Sequence, residues 1–188
     1  MYCSGEDYQE VDEVALRLRM DYCHFEKRLD VFKLAEQLNM ILIKYSSLTK
    51  EQLSAILSKE ELKDGFTVIK KCNGEYKFYT FYNDSIGAAR IRLTIAHEIK
   101  HVVFLETNPT EKEEALANHF ARYILAPTCL VMRYVEKYSP IELINDFDIS
   151  FEAACNAYNH AERRLRYNKQ ELDDFEKEFI AEYVESVK

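Results

Sequence analysis

Apolar residues recur with helical spacing over most of the chain and alternate in a few short stretches. Between Asp12 and His24, Val14, Leu16, Leu18 and Met20 stand among charges. That pattern is mixed, and a helix is expected because Arg, Met, Ala and Leu all favour it. A clearer helix follows, with Phe32, Leu34, Ala35 and Leu38 on one face and Lys33, Glu36 and Gln37 on the other. It should end near Asn39, a residue that tolerates the left-handed conformation of a C-terminal cap. Met40–Lys44 is β-branched and apolar enough for a short strand. Thr49 is a suitable cap for a short helix running to about Leu57. Lys59 to Asp64 is charged and expected at the surface.

Phe66–Lys71 and Tyr76–Tyr82 read as two strands joined by Asn73-Gly74, the pair that suits a type I′ hairpin. With the Met40 strand they predict a small antiparallel sheet of about three strands. Helical character returns from Arg90 to Leu105, with Ile91, Leu93, Ile95, Ala96, Ile99, Val102 and Val103 apolar. Apolarity around so much of the circumference predicts a buried helix. Thr110 with Glu113 forms a capping-box pattern for a helix to about Leu125. Pro127 and Pro140 restart the chain, Asp148-Ile149-Ser150 separates two further helices, and Phe175, Phe179 and Tyr183 make a final amphipathic stripe. The predicted fold class is α+β, mostly helical with a small sheet, and no internal repeat is present.

The 188 residues fit one domain better than two. A composition of 47% hydrophobic and 31% charged residues, with 4 Gly and 3 Pro, excludes a disordered or low-complexity chain. The 33 acidic against 25 basic residues give a formal charge of -8, which disfavours generic binding to phosphate backbones. Met40-Ile41-Leu42-Ile43, the longest apolar run, is far below the ~20 residues that span a bilayer, so no membrane association is expected. Neither a secretory leader nor a disulfide or sulfur-zinc pattern is read from the N-terminus or the five dispersed cysteines. A cytoplasmic location is the expectation. The 13 Tyr and 11 Phe, with no Trp, name no function.

The chemistry lies in His97-Glu98-Ile99-Lys100-His101. Helical residues four apart lie one above the other, so both imidazoles can reach one ion. Glu98, beside the first histidine, is placed to take a proton from a bound water. Zinc suits such a set because it accepts imidazole and carboxylate and keeps a position open in catalytic sites. Glu114 on the next helix is a candidate third ligand, with Asn118 one turn on to fix a histidine ring. His119 competes as a ligand but lies on the face away from Glu114, and Glu113 better serves the capping box.

These residues together resemble the ImmA/IrrE family of metallo-endopeptidases. The resemblance is carried by Arg92 to His101, by Glu114-Ala115-Leu116-Ala117-Asn118-His119-Phe120-Ala121, and by Ile124-Leu125-Ala126-Pro127. Leu34 to Met40, the hairpin, and Phe147 to Ala154 extend it over about residues 29 to 166. Residues 1–28 then form a helical N-terminal extension and 167–188 a helical tail to a single metallopeptidase domain. The resemblance implies a zincin-like domain with Zn2+ on His97, His101 and Glu114, and Glu98 as general base in peptide hydrolysis. Two departures stand out: Lys100 where the family has Gly, and Leu116 where it has a second Glu. Lys100 is expected either at the rim of the site or facing solvent. His160, Tyr158, Arg163 and the hairpin tyrosines are open choices for stabilising the transition state, His160 being the one singled out.

Family members typically act on transcriptional repressors with an Xre-like helix-turn-helix, so a protein substrate of that kind is the implied partner. An alternative is a zinc-binding but proteolytically inactive regulatory or interaction protein. Residues 137 to 166 superficially suggest a helix-turn-helix, with Arg163, Arg164, Arg166 and Lys169 as a basic cluster. The acidic balance argues against DNA, and no stable nucleic-acid binding is expected.

Overall fold

A computed structural model describes residues 3–23, 26–56, 64–135, 137–167 and 171–186. The first helix, α1 (Gly5–Tyr22), starts earlier than the apolar pattern indicates. Its start is set by Ser4, whose side chain accepts from the Asp7 N–H in a reciprocal capping box. The second, α2 (Val31–Gln37), is capped by Asp30, whose carboxylate accepts from the Phe32 and Lys33 N–H groups. Asn39 then takes φ 58°, the left-handed position expected of it. The strand β1 (Met40–Lys44), a 3-10 turn (Tyr45–Ser47) and α3 (Lys50–Ile56) lead to the hairpin β2 (Gly65–Cys72) and β3 (Glu75–Tyr82). Five helices complete the described chain after α4 (Ala88–Val103): α5 (Glu111–Leu125), α6 (Thr128–Val135), α7 (Pro140–Phe147), α8 (Phe151–Tyr167) and α9 (Asp174–Ser186). Leu57 and, of the charged stretch from Lys59 to Asp64, all but Asp64 lie outside the described residues.

The fold class is α+β and mostly helical, with a three-stranded sheet in the order β1-β3-β2. The hairpin is antiparallel and turns on Asn73 and Gly74 at φ 52° and 88°, as a type I′ turn requires. One feature of the sheet differs from expectation: β1 runs parallel to β3, with Met40 opposite Phe78, so the sheet is mixed. The chain reverses between β1 and β2 and again at the hairpin, which returns β3 to the direction of β1.

The sheet packs on α4, and a glycine permits the close approach. A Cβ at Gly65 would stand 2.5 Å from the Thr94 side-chain methyl and 3.0 Å from the Phe81 carbonyl oxygen. Beyond the sheet, α4 lies against α5, and α5 against α1. Ile95, Ala96 and Ile99 of α4 meet Leu116, Phe120 and Ile124 of α5 in one buried cluster, which Val11, Ala15 and Leu16 of α1 share. The N-terminal helix is therefore part of the same core. Arg92 fastens α4 to its surroundings through the Asp148 carboxylate and the carbonyls of Leu29 and Phe147. Asp148 is itself held in the left-handed region at φ 51°, which ends α7.

The stripe of Phe175, Phe179 and Tyr183 is buried, which docks α9 on the core. Within this contact Glu176 accepts from Tyr123 Oη at 2.9 Å and from the Arg164 guanidinium at 2.7 Å. Arg164 is thus turned inward, away from the basic face read in the sequence. Arg166 pairs with Glu162 at 2.8 Å, and Lys169 lies outside the described residues. None of the described helices is long and apolar enough to cross a membrane.

Candidate metal centre

Helix α4 presents His97 and His101 on one face, one turn apart, because residues four apart align. Their Nε2 atoms stand 3.0 Å from each other. Glu114 reaches them from the first turn of α5, with Oε2 3.2 Å from His97 Nε2 and Oε1 3.9 Å from His101 Nε2. The position of Glu114 follows from the helix start: Thr110 caps α5, and Glu113 closes the capping box and leaves its neighbour turned toward α4. One donor atom from each of the three side chains lies within 4.8 Å of the others, and this is the one such group with metal-holding geometry among the described residues.

The chemistry of the donors fits zinc. Ligands about 2.0–2.1 Å from a tetrahedral ion stand about 3.3 Å from one another, close to the separations here. Burial, before any other cause, lowers the pKa of both histidines, His101 to about 4 with His97 as the next contributor. Both imidazoles are therefore neutral near pH 7, the form that binds a metal. His101 Nδ1 lies 2.7 Å from Glu106 Oε2; donating its proton there, it leaves Nε2 with a free lone pair aimed at the centre. Asn118 lines the cleft beside His97, and its side chain raises the pKa of that ring against the larger effect of burial.

These groups line a cleft of about 400 Å³ together with Asp64, Gly65, Phe66, Thr67, Arg90, Leu93, Thr94, Glu98 and Pro109. Glu98 is 5% exposed and sits on the cleft wall beside its histidine. The Tyr45 hydroxyl feels the Glu98 charge: burial first and then that carboxylate push its pKa up to about 12.

Two of the remaining sequence candidates fall elsewhere. His119 pairs with Asp12 of α1, Nε2 to Oδ1 at 2.6 Å, on the opposite side of α5 from the cleft. His160 is not among the residues lining the cleft; its Nδ1 is 3.4 Å from Thr128 Oγ1, where α8 meets α6. Burial lowers the pKa of His160, with His119 as the next cause.

Lys100 departs from both expectations for it. It neither rims the cleft nor faces solvent, and its side chain is 1% exposed. Its Nζ donates to Glu106 and to the Glu113 carbonyl at 3.3 Å, and lies 5.0 Å from the centre of the Phe104 ring. The space beside the end of α4 and the first turn of α5 is closed, so a long stem is buried there and its cation must find partners. Leu116, the other departure, is 7% exposed in the core.

Sequence reasoning missed Glu106 and Tyr45. A signal for Glu106 exists: a carboxylate just beyond a helix C-terminus stands at the unfavourable end of the helix dipole, which implies a compensating partner. Tyr45 carries no comparable signal. Compared with family models, curated proteins and solved structures, the chain matches none. The site therefore defines the molecule by itself: a mostly helical domain whose partly buried His–His–Glu cluster can coordinate a metal ion such as zinc beside a glutamate.

Proposed function

We propose that this chain is a zinc-dependent endopeptidase of the ImmA/IrrE type, acting in the cytoplasm on a helix-turn-helix repressor. The observation that supports it most is the convergence of His97, His101 and Glu114 in a cleft that Glu98 also lines. The two histidines and Glu114 would hold the ion, and Asn118 would keep the His97 ring in orientation. Bound zinc would supply Lewis-acid polarisation of the scissile carbonyl and a water of lowered pKa. Glu98 accepts the proton of the attacking water and returns it to the leaving amine.

A polypeptide substrate is favoured by the position of the sheet. β2 is an edge strand, and its Gly65, Phe66 and Thr67 line the cleft beside the histidines. An extended segment can pair with such an edge through its backbone, leaving its side chains to the walls. Phe66, Leu93 and Pro109 provide the apolar contacts there. The repressor target rests on the family resemblance.

The test is incubation of the zinc-loaded chain with the repressor encoded nearest its gene and with a broad peptide library, wild type against Glu98→Gln. Cleavage by wild type alone is expected. An intact repressor with cleaved library peptides would correct the target, and intact substrates throughout would overturn the peptidase reading.

A further inference from the structure

The end of α4 is built around a carboxylate that touches a ligand histidine and a buried cation at once. The helix closes in a Schellman arrangement: Leu105 N–H donates to the Val102 carbonyl at 3.1 Å and Glu106 N–H to the His101 carbonyl at 2.9 Å. This turn needs a left-handed residue, and Leu105 occupies it at φ 53° where glycine would be unstrained. The result is that Glu106 folds back over the last turn. One carboxylate oxygen meets His101 Nδ1 at 2.7 Å and the other meets Lys100 Nζ.

Lys100 completes the arrangement from the other side. Its Nζ also donates to the carbonyl of Glu113, the residue before the ligand Glu114. One buried cation therefore contacts both segments that carry ligands, the end of α4 and the first turn of α5. The Glu106 side chain is 10% exposed, so these two partners and not solvent fix its orientation.

We propose that Glu106 is a positioning residue for His101 and that Lys100 anchors Glu106, so that the pair sets the affinity of the metal centre. This rests on the metal-binding reading of His97, His101 and Glu114. Glu106 holds the His101 ring in the tautomer and orientation that present Nε2 to the ion, and Lys100 holds the Glu106 carboxylate against that ring. Partners of this kind are worth about 10–100-fold in metal affinity. The lysine at a position where the resembled family has glycine thereby acquires a role in holding the ligand set.

The test is zinc affinity of the full chain, by competition with a chromophoric chelator at fixed pH, alongside the melting temperature of the metal-free form. The proteins are wild type, Glu106→Leu, Glu106→Gln, Lys100→Met, the Lys100→Met/Glu106→Leu double variant, and His101→Ala. Wild type should bind one zinc. Glu106→Leu should bind about 10–100-fold more weakly, with Glu106→Gln intermediate because its amide oxygen still accepts from Nδ1–H. Lys100→Met should lose several-fold, and the double variant should be no weaker than Glu106→Leu, since the lysine acts through the glutamate. Zinc affinities within about twofold of wild type in Glu106→Leu and Lys100→Met would overturn the proposal, leaving a pair that only stabilises the fold. If Glu106→Leu does not fold, Glu106→Gln and Lys100→Met decide by the same threshold. Should wild type bind no more zinc than His101→Ala, the metal reading itself fails, an outcome distinct from the loss of the pair's role alone.

Discussion

On one face of α5, Glu114 meets His97 of α4 at 3.2 Å; on another, His119 meets Asp12 of α1 at 2.6 Å. Both are imidazole–carboxylate pairs joining α5 to a neighbouring helix, yet their surroundings differ. Around Glu114 a second imidazole converges on the same point, both rings are neutral through burial, and the group opens on a cleft. Around His119 the partners are consumed locally: Asp12 takes its Nε2, the Tyr8 ring packs edge-on at 4.7 Å, and the Tyr123 ring stacks at 6.1 Å. A histidine and an acid in contact therefore do not make a metal site. Convergence of a third donor and an open side do.

The sharpest way to break the open side while leaving the closed one intact is Glu98→Gln. We expect turnover of a cleavable peptide to fall by about 10²–10⁴-fold, the usual worth of a general base, with zinc stoichiometry unchanged. Steady-state cleavage rates and elemental analysis of the same sample check both halves of that expectation.

Phe120, 0% exposed, lies in the core between α4 and α1 and supports both faces of α5. Phe120→Ala should cost about 3–5 kcal/mol in urea unfolding, because a cavity is left that neighbouring helices refill only in part. A loss below about 1 kcal/mol would show that the two faces are held independently of this contact.

The closed face can be probed alone. Tyr123 Oη donates to the buried Glu176 at 2.9 Å, and Tyr123→Phe removes that bond without changing the ring. The expected cost is about 0.5–1.5 kcal/mol of stability, with zinc affinity unaffected. A changed zinc affinity would mean that the two faces are coupled through the helix.

The smallest expected effect is electrostatic. Burial raises the pKa of Asp12, an effect that its bond to His119 only partly offsets. A carboxyl whose folded pKa exceeds its unfolded value of about 3.9 favours folding most below that value, and its contribution declines as pH rises through the folded pKa. Asp12→Asn should therefore flatten the stability profile above about pH 4. Parallel wild-type and variant profiles from denaturant titrations would contradict the assignment.

Much of this architecture was legible in local patterns. The Asn73-Gly74 hairpin, the Thr110/Glu113 capping box, the strand Met40–Lys44 and the buried row of Leu116, Phe120 and Ile124 all depend on residues close in sequence. The parallel pairing of β1 with β3 was not legible, because it is decided by how the chain returns between distant strands. The N-terminus of α1 was not legible in the apolar spacing, which begins beyond the Ser4 cap that sets it. In the site, the ligand spacing on α4 was readable from helical geometry alone. The burial of Lys100 was not: it depends on the α5 turn that covers it and on a left-handed leucine that brings Glu106 within reach. Three of the 13 tyrosines find a structural role in three dimensions. Tyr123, Tyr134 and Tyr158 each bury a ring wholly or in part and tie helices through the hydroxyl, to Glu176, Asp146 and the Val135 carbonyl.

One face of α5, through Glu114, supplies the third donor of the metal-holding cluster, and the other face, through His119, does not. This asymmetry is tested most directly by equilibrium dialysis of the metal-free chain against zinc, with elemental analysis of wild type, His97→Ala and His119→Ala. One zinc per chain is expected in wild type and in His119→Ala, and essentially none in His97→Ala at the same free zinc concentration. Retention of zinc by His97→Ala, or its loss from a folded His119→Ala, would contradict it.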